Sequence, residues 1–368
     1  MNLQPEPELV EFAAGVRKLL ESAPLSESRA RWDDPAAYDE RTWRSLTQEM
    51  GAAALGRAEA EPDAPFLAQA VVFEQLGYAL HTSPYFASVG LVAPILATAG
   101  TLEAIELLDR IESGESAAAL AIADDLARWN PLATAVRAEH ADGGFRLHGT
   151  KSFVVDAAVA DVLVVTATDE DRLRLFAVDP ADAQIEPLRA LDLTRWLARV
   201  VLDGAPGTPL SDAGAEPIVR AALDRSGTLL AAETVGLAQR CLDMSVEYAK
   251  VRVQSGRPIG SFQAIKHKLA DMLSAIEGAR AAVYFAASVA DERPEHFPAA
   301  ASIAQAVAAD AGVFVASENI QVHGGIGFTW EHDAHLFYRR AQSSAQLLGR
   351  SADHRRALKD RLHFEEAS

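Results

Sequence analysis

Two short stretches carry the residue types that could hold a charged ligand. In the first, residues 248–272, the sequence YAKVRVQSGRPIGSFQAIKHKLADM has helical spacing on both sides of a break at Gly256 and Pro258. It predicts a helical hairpin with Arg252 and Gln263 near its corner. A guanidinium and an amide placed together are suited to phosphate or carboxylate oxygens. The competing interpretation is a solvated turn between two core helices.

The second stretch is residues 319–341, NIQVHGGIGFTWEHDAHLFYRRA. Gly324, Gly325 and Gly327 interrupt a predicted helix, and Gln321 stands one turn ahead of them. Glycines allow a ligand or another backbone to come close. The alternative is a helix C-cap followed by a tight turn, which is a common role of paired glycines.

Other chemistries find little support in the residue pattern. Glu331, His332, Asp333 and His335 are metal-ligand types, but no third histidine or cysteine stands at metal-site spacing, so no metal site is expected. No Gly-x-Ser-x-Gly elbow or Cys/His pair indicates an acyl-enzyme nucleophile. No GxGxxG motif or P-loop follows a predicted strand, which argues against a Rossmann-type nucleotide site.

Composition excludes several classes of partner. The chain has 368 residues, 49% of them hydrophobic, and a formal net charge of -18. This charge would be repelled by a nucleic-acid backbone or an anionic membrane. The single cysteine, Cys241, allows no intrachain disulfide and fits a reducing cytoplasm. The acidic amino terminus is unlike a signal peptide, and no apolar run is expected to reach membrane-spanning length.

The hydrophobic period divides the chain into three predicted domains. Residues 1–115 have helical spacing, with a cap at Thr101 and a kink or a helix start at Pro94. Residues 116–212 have a period near two and predict an antiparallel β domain. Residues 213–368 return to long, alanine-rich helical segments, as a four-helix bundle requires. The predicted fold class is therefore α+β.

The β domain is expected to be a small sandwich or barrel, because its strands are short and its turns frequent. The candidate strands lie at residues 118–123, 133–139, 145–148, 152–155, 162–167, 173–178 and 197–202. The bundle helices are expected at residues 219–250, 262–288, 299–320 and 336–347, with Ser261 as the cap of the second.

Taken together, the two stretches resemble the acyl-CoA dehydrogenase family. The pattern Y-x-x-x-R-x-x-x-G-x-P-I-x-x-F-Q, followed by L-A-D-M, Q-x-H-G-G-x-G-F-T and Y-R-R-A, is similar to that of the family. The segment HGTKSFV at residues 148–154 is similar to its G-x-K-x-W-I-T strand, and the order helix, β, helix agrees over essentially the whole chain. The resemblance implies a flavoenzyme, a dimer or dimer of dimers, that uses FAD to convert an acyl-CoA thioester to the trans-2-enoyl product.

The resemblance also implies how this chain would contact FAD. In the family, the counterpart of Arg252 holds the pyrophosphate of a cofactor that is seated mainly in the neighbouring subunit. A guanidinium pairs well with phosphate oxygens, and glycine-loosened backbone amides accept a close approach. The adenosine side is held by the counterparts of Gln263, Gln321, Val322, His323, Gly324 and Gly325.

The chain's own half of a flavin site departs from the family pattern. Where the family has T-E-P-x-A-G-S-D, this chain has AIADDLARWNPL at residues 121–132, without the glycine, serine and threonine. The flavin-stacking tryptophan of the next strand is replaced by Phe153, which keeps an aromatic face. A nearby threonine is replaced by Val155, which has no hydroxyl.

The catalytic base also departs from the pattern. The chemistry requires a carboxylate within reach of the α-carbon, and family members place a glutamate at one of two positions. This chain has Leu348 at one and Ser226 at the other. Asp224 and Glu233 lie close by on the same predicted helix and are the candidates for a recruited base. Their alternative roles are a helix N-cap for Asp224 and a helix–helix polar contact for Glu233.

Three hypotheses for function follow. In the first, the chain is the supporting subunit of a heteromeric acyl-CoA dehydrogenase, and a homologous partner supplies the glutamate and most of the FAD site. In the second, it is a self-sufficient homo-oligomeric enzyme with a displaced carboxylate. In the third, it is a non-catalytic acyl-CoA binding protein. For either enzyme, the expected electron acceptor is of the electron-transfer flavoprotein type.

Overall fold

The computed structural model of the chain describes residues 6–23, 25, 29, 32–56, 66–124, 129–141, 143–212 and 214–362. Helices make up its amino-terminal and carboxyl-terminal parts, and strands make up its middle. This arrangement confirms the predicted α+β class.

The amino-terminal helices match the predicted signals at their ends. They are α1 Pro7–Glu21, α2 Glu40–Arg44, α3 Phe66–Ala79, α4 Ala93–Ala99 and α5 Leu102–Glu112. The side chain of Thr101 accepts a hydrogen bond from the amide of Ala104 and caps α5, as predicted. Pro94 lies inside the continuous helical segment Phe86–Ala99, just after its hydrogen bonding changes from the π type of Phe86–Val92 to the α type of Ala93–Ala99. The proline thus marks an irregularity within a helix, and it does not mark the start of one.

Seven strands form the sheet of the middle region. They are β1 Ala118–Ala121, β2 Arg137–Ala141, β3 Gly144–Val155, β4 Val162–Asp169, β5 Arg172–Val178, β6 Gln184–Leu188 and β7 Leu197–Pro209. Two of the predicted strands are halves of β3, because a bulge near Ser152 interrupts the alternation of its side chains without ending the strand. The sequence reading missed β6, a short strand that contains Pro187.

The sheet closes on itself as a small barrel. Strands β4, β2, β3, β7 and β5 pair in that order, and β5 pairs again with β4. The barrel prediction is thus confirmed. The pairing is mostly antiparallel, but β1 lies parallel to β4, and β2 meets β4 in parallel through Arg137 and Thr168. The expectation of a wholly antiparallel domain was therefore wrong at this edge.

The carboxyl-terminal region begins with the longest helix, α6 Glu216–Val251, and ends with α10. A two-stranded hairpin, β8 Val253–Gln254 and β9 Arg257–Pro258, follows α6. The remaining helices are α7 Gln263–Glu292, α8 Phe297–His323, α9 Ala334–Ser344 and α10 Ser351–Arg361. The four predicted bundle helices are all present, and α10 is an addition to them.

Helices α3 and α6 cross in close contact because each has a glycine at the crossing point. A Cβ atom on Gly77 would lie 1.8 Å from the carbonyl oxygen of Glu233, and one on Gly236 would lie 1.8 Å from that of Glu74. No side chain fits at either position. The two glycines therefore fix the distance between the amino-terminal helices and the bundle.

Gly77→Ala is expected to lower the free energy of unfolding by roughly 1–3 kcal/mol, because the new methyl group must push α3 away from α6. Gly278 lies inside α7 with open space around it, so Gly278→Ala is the matched control. The control should raise stability by about 0.5–1 kcal/mol through helix propensity. Urea unfolding followed by circular dichroism measures the stability of both variants. Equal changes in the free energy of unfolding for Gly77→Ala and Gly278→Ala would contradict the close crossing of α3 and α6.

One segment contradicts the expectation that no apolar run reaches membrane-spanning length. Among the described residues, the helical segment Pro294–Phe328 is long and apolar enough to cross a membrane by these two criteria. However, 61% of its most apolar window is buried inside the protein. The core helix of an alanine-rich bundle meets the same criteria, because it packs against neighbours on several sides.

Candidate functional site

The first predicted ligand-binding stretch forms an exposed corner between α6 and α7. Arg252 caps the end of α6, its amide donating to the carbonyl oxygen of Tyr248 at 2.9 Å. The turn between β8 and β9 has Ser255 and Gly256 at φ values of 51° and 79°, as a tight hairpin requires. The corner is thus a short β-hairpin between helices. Arg252 is exposed, and its guanidinium forms no hydrogen bond or ion pair within the described chain.

Gln263 is the first residue of α7 and is also exposed. The prediction that Ser261 caps this helix was wrong: its hydroxyl donates to the carbonyl oxygen of Pro258 at 2.7 Å, and Phe262 stands at the N-cap. The helix therefore begins without a side-chain cap. Free first-turn amides and the helix dipole favour an anion at this position, next to Arg252.

The second stretch forms the end of α8 and the turn that follows it. Gly324 has φ 63° and ψ −143°, a backbone conformation that other residues avoid. The side chain of Gln321 and the backbone of Gly324 and Gly325 are exposed, whereas Val322 and His323 are buried. Gly324 and Gly325 thus lie at the surface, although the amide of Gly324 donates to the carbonyl oxygen of Ile320, and Gly327 is buried.

Side-chain packing brings the two stretches together. Val322 packs with Ala249 and Ile259 of the corner. The ring of His323 stacks on that of Tyr248, with centroids 4.5 Å apart, and its Nδ1 lies 2.8 Å from the carbonyl oxygen of Asn319. Val322 and His323 therefore hold the glycine turn against the corner. We call the exposed residues Arg252, Gln263, Gln321, Gly324 and Gly325 the corner surface.

An apolar rim surrounds the corner surface. Its side chains are exposed by 41% to 74%: Val251, Val253, Ile326, Phe328 and Trp330. Exposed apolar side chains are ordinary one at a time, but a group of them beside an uncommitted charge is typical of an interaction site. Of the other cations nearby, Lys250 pairs with Glu247, Lys268 pairs with Glu318, and Arg257 stacks over the ring of Phe262. Lys266, in the first turn of α7, is exposed like Arg252 and forms no ion pair within the described chain.

A separate cavity of about 490 Å³ lies between the barrel and the bundle. Phe153, Val155 and Trp129 line it from the barrel side, and Leu348 and Gly349 line it from the segment after α9. These are the positions where the family resemblance places the flavin and the base. None of the corner-surface residues is among its lining residues.

The carboxylates at the cavity wall are already engaged. Asp124 accepts a hydrogen bond at 2.8 Å from the buried ammonium of Lys151, which also donates to Thr134 and Thr166. Burial lowers the pKa of Lys151 to about 8, although Asp124 acts against this shift. Asp353 belongs to the capping box of α10, and hydrogen bonds from Arg350 outweigh the effect of its burial and lower its pKa. Neither carboxylate is placed as an uncommitted base.

The position of the missing base is apolar in three dimensions as well. Leu348 is buried, with φ 61°. Ser226 is buried on α6. The space beside it at Gly227 is filled by the amide of Gln305, which would lie 2.1 Å from a Cβ atom there. Leu348 lines the cavity and Ser226 does not, and neither position provides a carboxylate.

Asp224 lies inside α6, nine-tenths buried, so it is not the N-cap that the sequence suggested as its alternative role. Its carboxylate accepts a hydrogen bond from Arg361 at 2.6 Å and ties α10 to α6. Burial raises the pKa of Asp224, and Arg361 opposes the increase. It does not line the cavity, so its geometry gives no support to a role as base.

Glu233 belongs to a buried ion cluster of Asp192, Arg195, Glu233 and Arg340. Arg195 Nη2 lies 2.8 and 2.6 Å from its two carboxylate oxygens, and Arg340 Nη1 lies 2.6 Å from one of them. Burial alone would raise the pKa of Glu233, but the two arginines outweigh it, and the pKa is lowered. A carboxylate held in this way is a poor base. The cluster joins the β6–β7 loop to α6 and α9.

Asp156 lies beside this cluster and gives a pH-dependent prediction. The residue is only partly buried, but desolvation of its carboxyl raises its pKa to about 7, and Arg195 and Arg340 act against the shift. The folded state therefore binds more protons than the unfolded state between the ordinary pKa of 3.8 and about 7. Stability that is present below pH 3.8 is lost as the pH rises through 7.

Asp156→Asn is expected to remove this pH dependence, and asparagine accepts the left-handed φ of 54° at this position. Thermal unfolding of both proteins from pH 4 to pH 8 should show a decline for the wild-type chain that is smaller in the variant. Asp271→Asn, on the exposed face of α7, serves as the control. An identical decline in wild type and Asp156→Asn would contradict the assignment.

Sequence reasoning missed the residues that support the cavity. Lys151 appears in the sequence as one residue of a polar strand, yet its side chain is completely buried. Arg195 and Arg340 come from segments more than a hundred residues apart and meet at Glu233, and Arg340 also contacts Thr194 beside Arg195. One signal in the sequence could have indicated the role of Arg340 in the ion cluster. It is the second arginine of YRRA, and it lies on the apolar face of the predicted helix, where a charge needs a partner. Within the described part of the chain, no cluster of three or more metal-ligand residues occurs.

Comparisons with known proteins agree with this geometry. A family model described as acyl-CoA dehydrogenase, C-terminal domain, matches residues 213–363. The chain is 36% identical over 332 residues to acyl-CoA dehydrogenase IpdE2 of Mycolicibacterium smegmatis, and the match covers 90% of each chain.

Two solved structures are similar to this chain over nearly its whole length. The ChsE4-ChsE5 complex from Mycobacterium tuberculosis has a TM-score of 0.86 and 26% identity, covering 98% of this chain and 99% of that chain. A variant of the Tcur3481-Tcur3483 steroid ACAD has a TM-score of 0.85 and 28% identity, covering 96% of this chain and 97% of that chain.

Proposed function

The chain belongs to the acyl-CoA dehydrogenase family of FAD-dependent oxidoreductases, and we propose that it is the supporting subunit of a heteromeric member of that family. The family reaction is the α,β-dehydrogenation of an acyl-CoA thioester. In this proposal, a homologous partner subunit contributes the catalytic glutamate and most of the FAD site, and this chain contributes its corner surface.

The observation that carries the proposal is the contrast between the two sites. Arg252 is exposed, without an anionic partner in the described chain, and lies beside an uncapped helix start. The chain's own cavity instead has leucine at the base position and carboxylates that are engaged by Lys151 and Arg350. The corner surface has an exposed cation that could bind a phosphate group, whereas the cavity lacks a carboxylate that could remove a proton.

The corner surface fits the pyrophosphate and adenosine of FAD. Arg252 would pair with phosphate oxygens, and the exposed peptide groups of Gly324 and Gly325 would approach the dinucleotide closely. When bound, FAD supplies the acceptor for the hydride that leaves the β-carbon. The role of this chain would be to position that cofactor and, through the apolar rim, to exclude water from one side of it.

The wall of the chain's own cavity does not fit a dinucleotide. Residues 125–128, within the segment that differs from the family's flavin loop, lie outside the described residues. In the part that is described, Asp124 takes a place where the resemblance expects small hydroxyl-bearing or glycine residues, and Val155 is buried without a hydroxyl. A second carboxylate, Asp353, also lines the cavity. Because these carboxylates are paired with Lys151 and Arg350, neither cation is free to pair with a pyrophosphate.

The proposal is tested by purifying the chain alone and together with co-expressed homologues encoded beside it, then quantifying flavin per chain. We expect the isolated chain to be colourless and a complex with one partner to carry FAD that bleaches on addition of acyl-CoA. Stoichiometric yellow FAD in the isolated chain, bleached by acyl-CoA, would instead favour the homo-oligomeric enzyme. Absence of an FAD-bearing complex with every partner would favour the non-catalytic protein.

We also propose a cytoplasmic location, because the single cysteine is buried and fits a reducing compartment. Membership of the acyl-CoA dehydrogenase family supports the further proposal of an electron acceptor of the electron-transfer flavoprotein type. Stopped-flow mixing of the reduced complex with such a flavoprotein tests the acceptor. We expect reoxidation faster than with dioxygen alone. No acceleration would argue against this class of acceptor.

A further inference from the structure

The cavity between the barrel and the bundle has the dimensions of a binding site, although it lacks the parts of the family's active site. Its volume of about 490 Å³ is within the range of small-molecule pockets, about 300–1,000 Å³. Much of its wall consists of aliphatic side chains from four separate segments: Leu91, Leu120, Ile122, Leu197 and Leu347. Such a wall favours an apolar occupant through the removal of its surface from water.

Two aromatic side chains add flat surfaces to this wall. Phe153 adopts a left-handed φ of 57° in the bulge of β3, and 49% of its side chain remains exposed. Non-glycine residues rarely adopt this conformation, and those that do tend to occur at functional positions. The amides of Ser152 and Asp156, on either side, donate to Ala123 and Trp196 and hold the bulge. The indole of Trp129 lines the same cavity, beside Gly349.

The polar groups of the wall are mostly neutral. Asn130, Gln342 and Gln346 have side-chain amides that form no hydrogen bond within the described chain, so they are available to a ligand. Ser152 and Ser343 also line the cavity. A few neutral hydrogen-bonding groups in an apolar wall orient an uncharged ligand without requiring a counter-charge.

The charges of the wall select against anions. Asp124 and Asp353 face one arginine, Arg350, whose Nε is directed to Asp353 at 3.4 Å. The ammonium of Lys151 is buried behind Asp124 and is engaged by it. No lining cation in the described ranges is thus free to pair with a phosphate. A ligand with phosphate groups would have to give up its hydration in a cavity whose cations are already paired with Asp124 and Asp353.

We propose that this cavity binds an uncharged, apolar molecule built of fused or linked rings, held by the aliphatic wall and by Trp129 and Phe153, and that it excludes nucleotides. The ligand is not turned over there, because Leu348 occupies the position of the base. The inference goes beyond the supporting-subunit role, since it concerns a site that is separate from the corner surface. A heteromeric complex would then bind FAD at the corner surface and a ring ligand in the cavity of this chain.

The test uses N-phenyl-1-naphthylamine, an uncharged two-ring-system fluorophore that brightens in apolar surroundings, with FMN as the anionic ring comparator. We expect one fluorophore per chain in both the isolated chain and the FAD-bearing complex, with energy transfer from tryptophan. FMN should not displace it. Ser343→Trp, which fills the cavity from α9, should weaken binding by at least about tenfold.

Two controls separate the cavity from other surfaces. Ser343→Ala keeps the space open, and Ser274→Trp places the same indole on the exposed face of α7, so both should bind the fluorophore as the wild-type chain does. Gln342→Arg adds a cation to the wall and should allow FMN to bind. Fluorophore binding that is indifferent to Ser343→Trp, or FMN binding to the unmodified cavity, would overturn the proposal. These two outcomes test only the cavity. The supporting-subunit role is tested separately, by the FAD content of the chain and of its complexes.

Discussion

Arg252→Gln is expected to weaken the affinity of the assembled enzyme for FAD by about 10–100-fold, the equivalent of losing a charged hydrogen bond of about 1.5–3 kcal/mol. The guanidinium is exposed and forms no bond to the described chain, so its removal should leave the subunit folded and able to assemble. Flavin retained after gel filtration, and FAD titration of the stripped complex, measure the effect.

The matched control for this change is Arg293→Gln. Arg293 is also exposed and lies at the far end of α7 from the corner. It should leave the flavin content unchanged. Equal flavin retention in Arg252→Gln and in the control would contradict the role of the corner surface, provided that both variants assemble. Raising the ionic strength should reduce the difference in FAD affinity between wild type and Arg252→Gln, because salt screens the attraction between the arginine and the phosphate in the wild-type complex.

Glu233→Gln is expected to lower the free energy of unfolding by about 3–5 kcal/mol, because it removes the carboxylate that both Arg195 and Arg340 contact and leaves these buried arginines with only Asp192 and Asp156 as acidic neighbours. Glutamine keeps the shape of the side chain, so the effect isolates the charge. Guanidinium chloride unfolding of the isolated chain gives the magnitude, and it requires neither FAD nor a partner.

This change also separates a structural role for Glu233 from the role of base. Glu277→Gln removes a carboxylate from an exposed ion pair with Arg280 and should change stability by about 0.5 kcal/mol or less. A Glu233→Gln chain with wild-type stability, in a complex that has lost activity, would argue for the base and against the buried ion cluster. We expect instead that Glu233→Gln lowers stability by much more than Glu277→Gln does.

The fold was largely predictable because its signals are local. The cap at Thr101 and the helical period of α6 to α9 depend on residues within one or two turns of each other. The errors occurred where tertiary contacts outweigh local preference. Ser261 has the residue type of a cap but turns to Pro258, and Pro187 does not prevent β6 from pairing with β7.

The two halves of the candidate site differ in how far they could be predicted. Arg252, Gln263 and the glycine turn stand in compact motifs, so their types and spacing could be read from the sequence, and the structure finds them exposed. That they bind a ligand stays a prediction. The stacking of His323 on Tyr248 connects positions 75 residues apart, and no periodicity indicates such a contact.

The surroundings of the cavity could not be predicted from the sequence either, because contacts between distant segments determine them. Glu233 was a reasonable candidate for a base because it is an isolated carboxylate on an apolar helix. Only the fold shows that two arginines from distant segments surround it. The left-handed backbone of Phe153 has no signature in its residue type, since phenylalanine rarely adopts it.

The most direct test of the central claim is the structure of the chain in complex with its FAD-bearing partner. The account predicts the Arg252 guanidinium within hydrogen-bonding distance, about 3 Å, of the pyrophosphate of a flavin that is seated chiefly in the partner subunit. It also predicts Gly324 and Gly325 against the adenosine of the same molecule. A complex in which FAD lies wholly inside one subunit, with Arg252 facing bulk water, would contradict it.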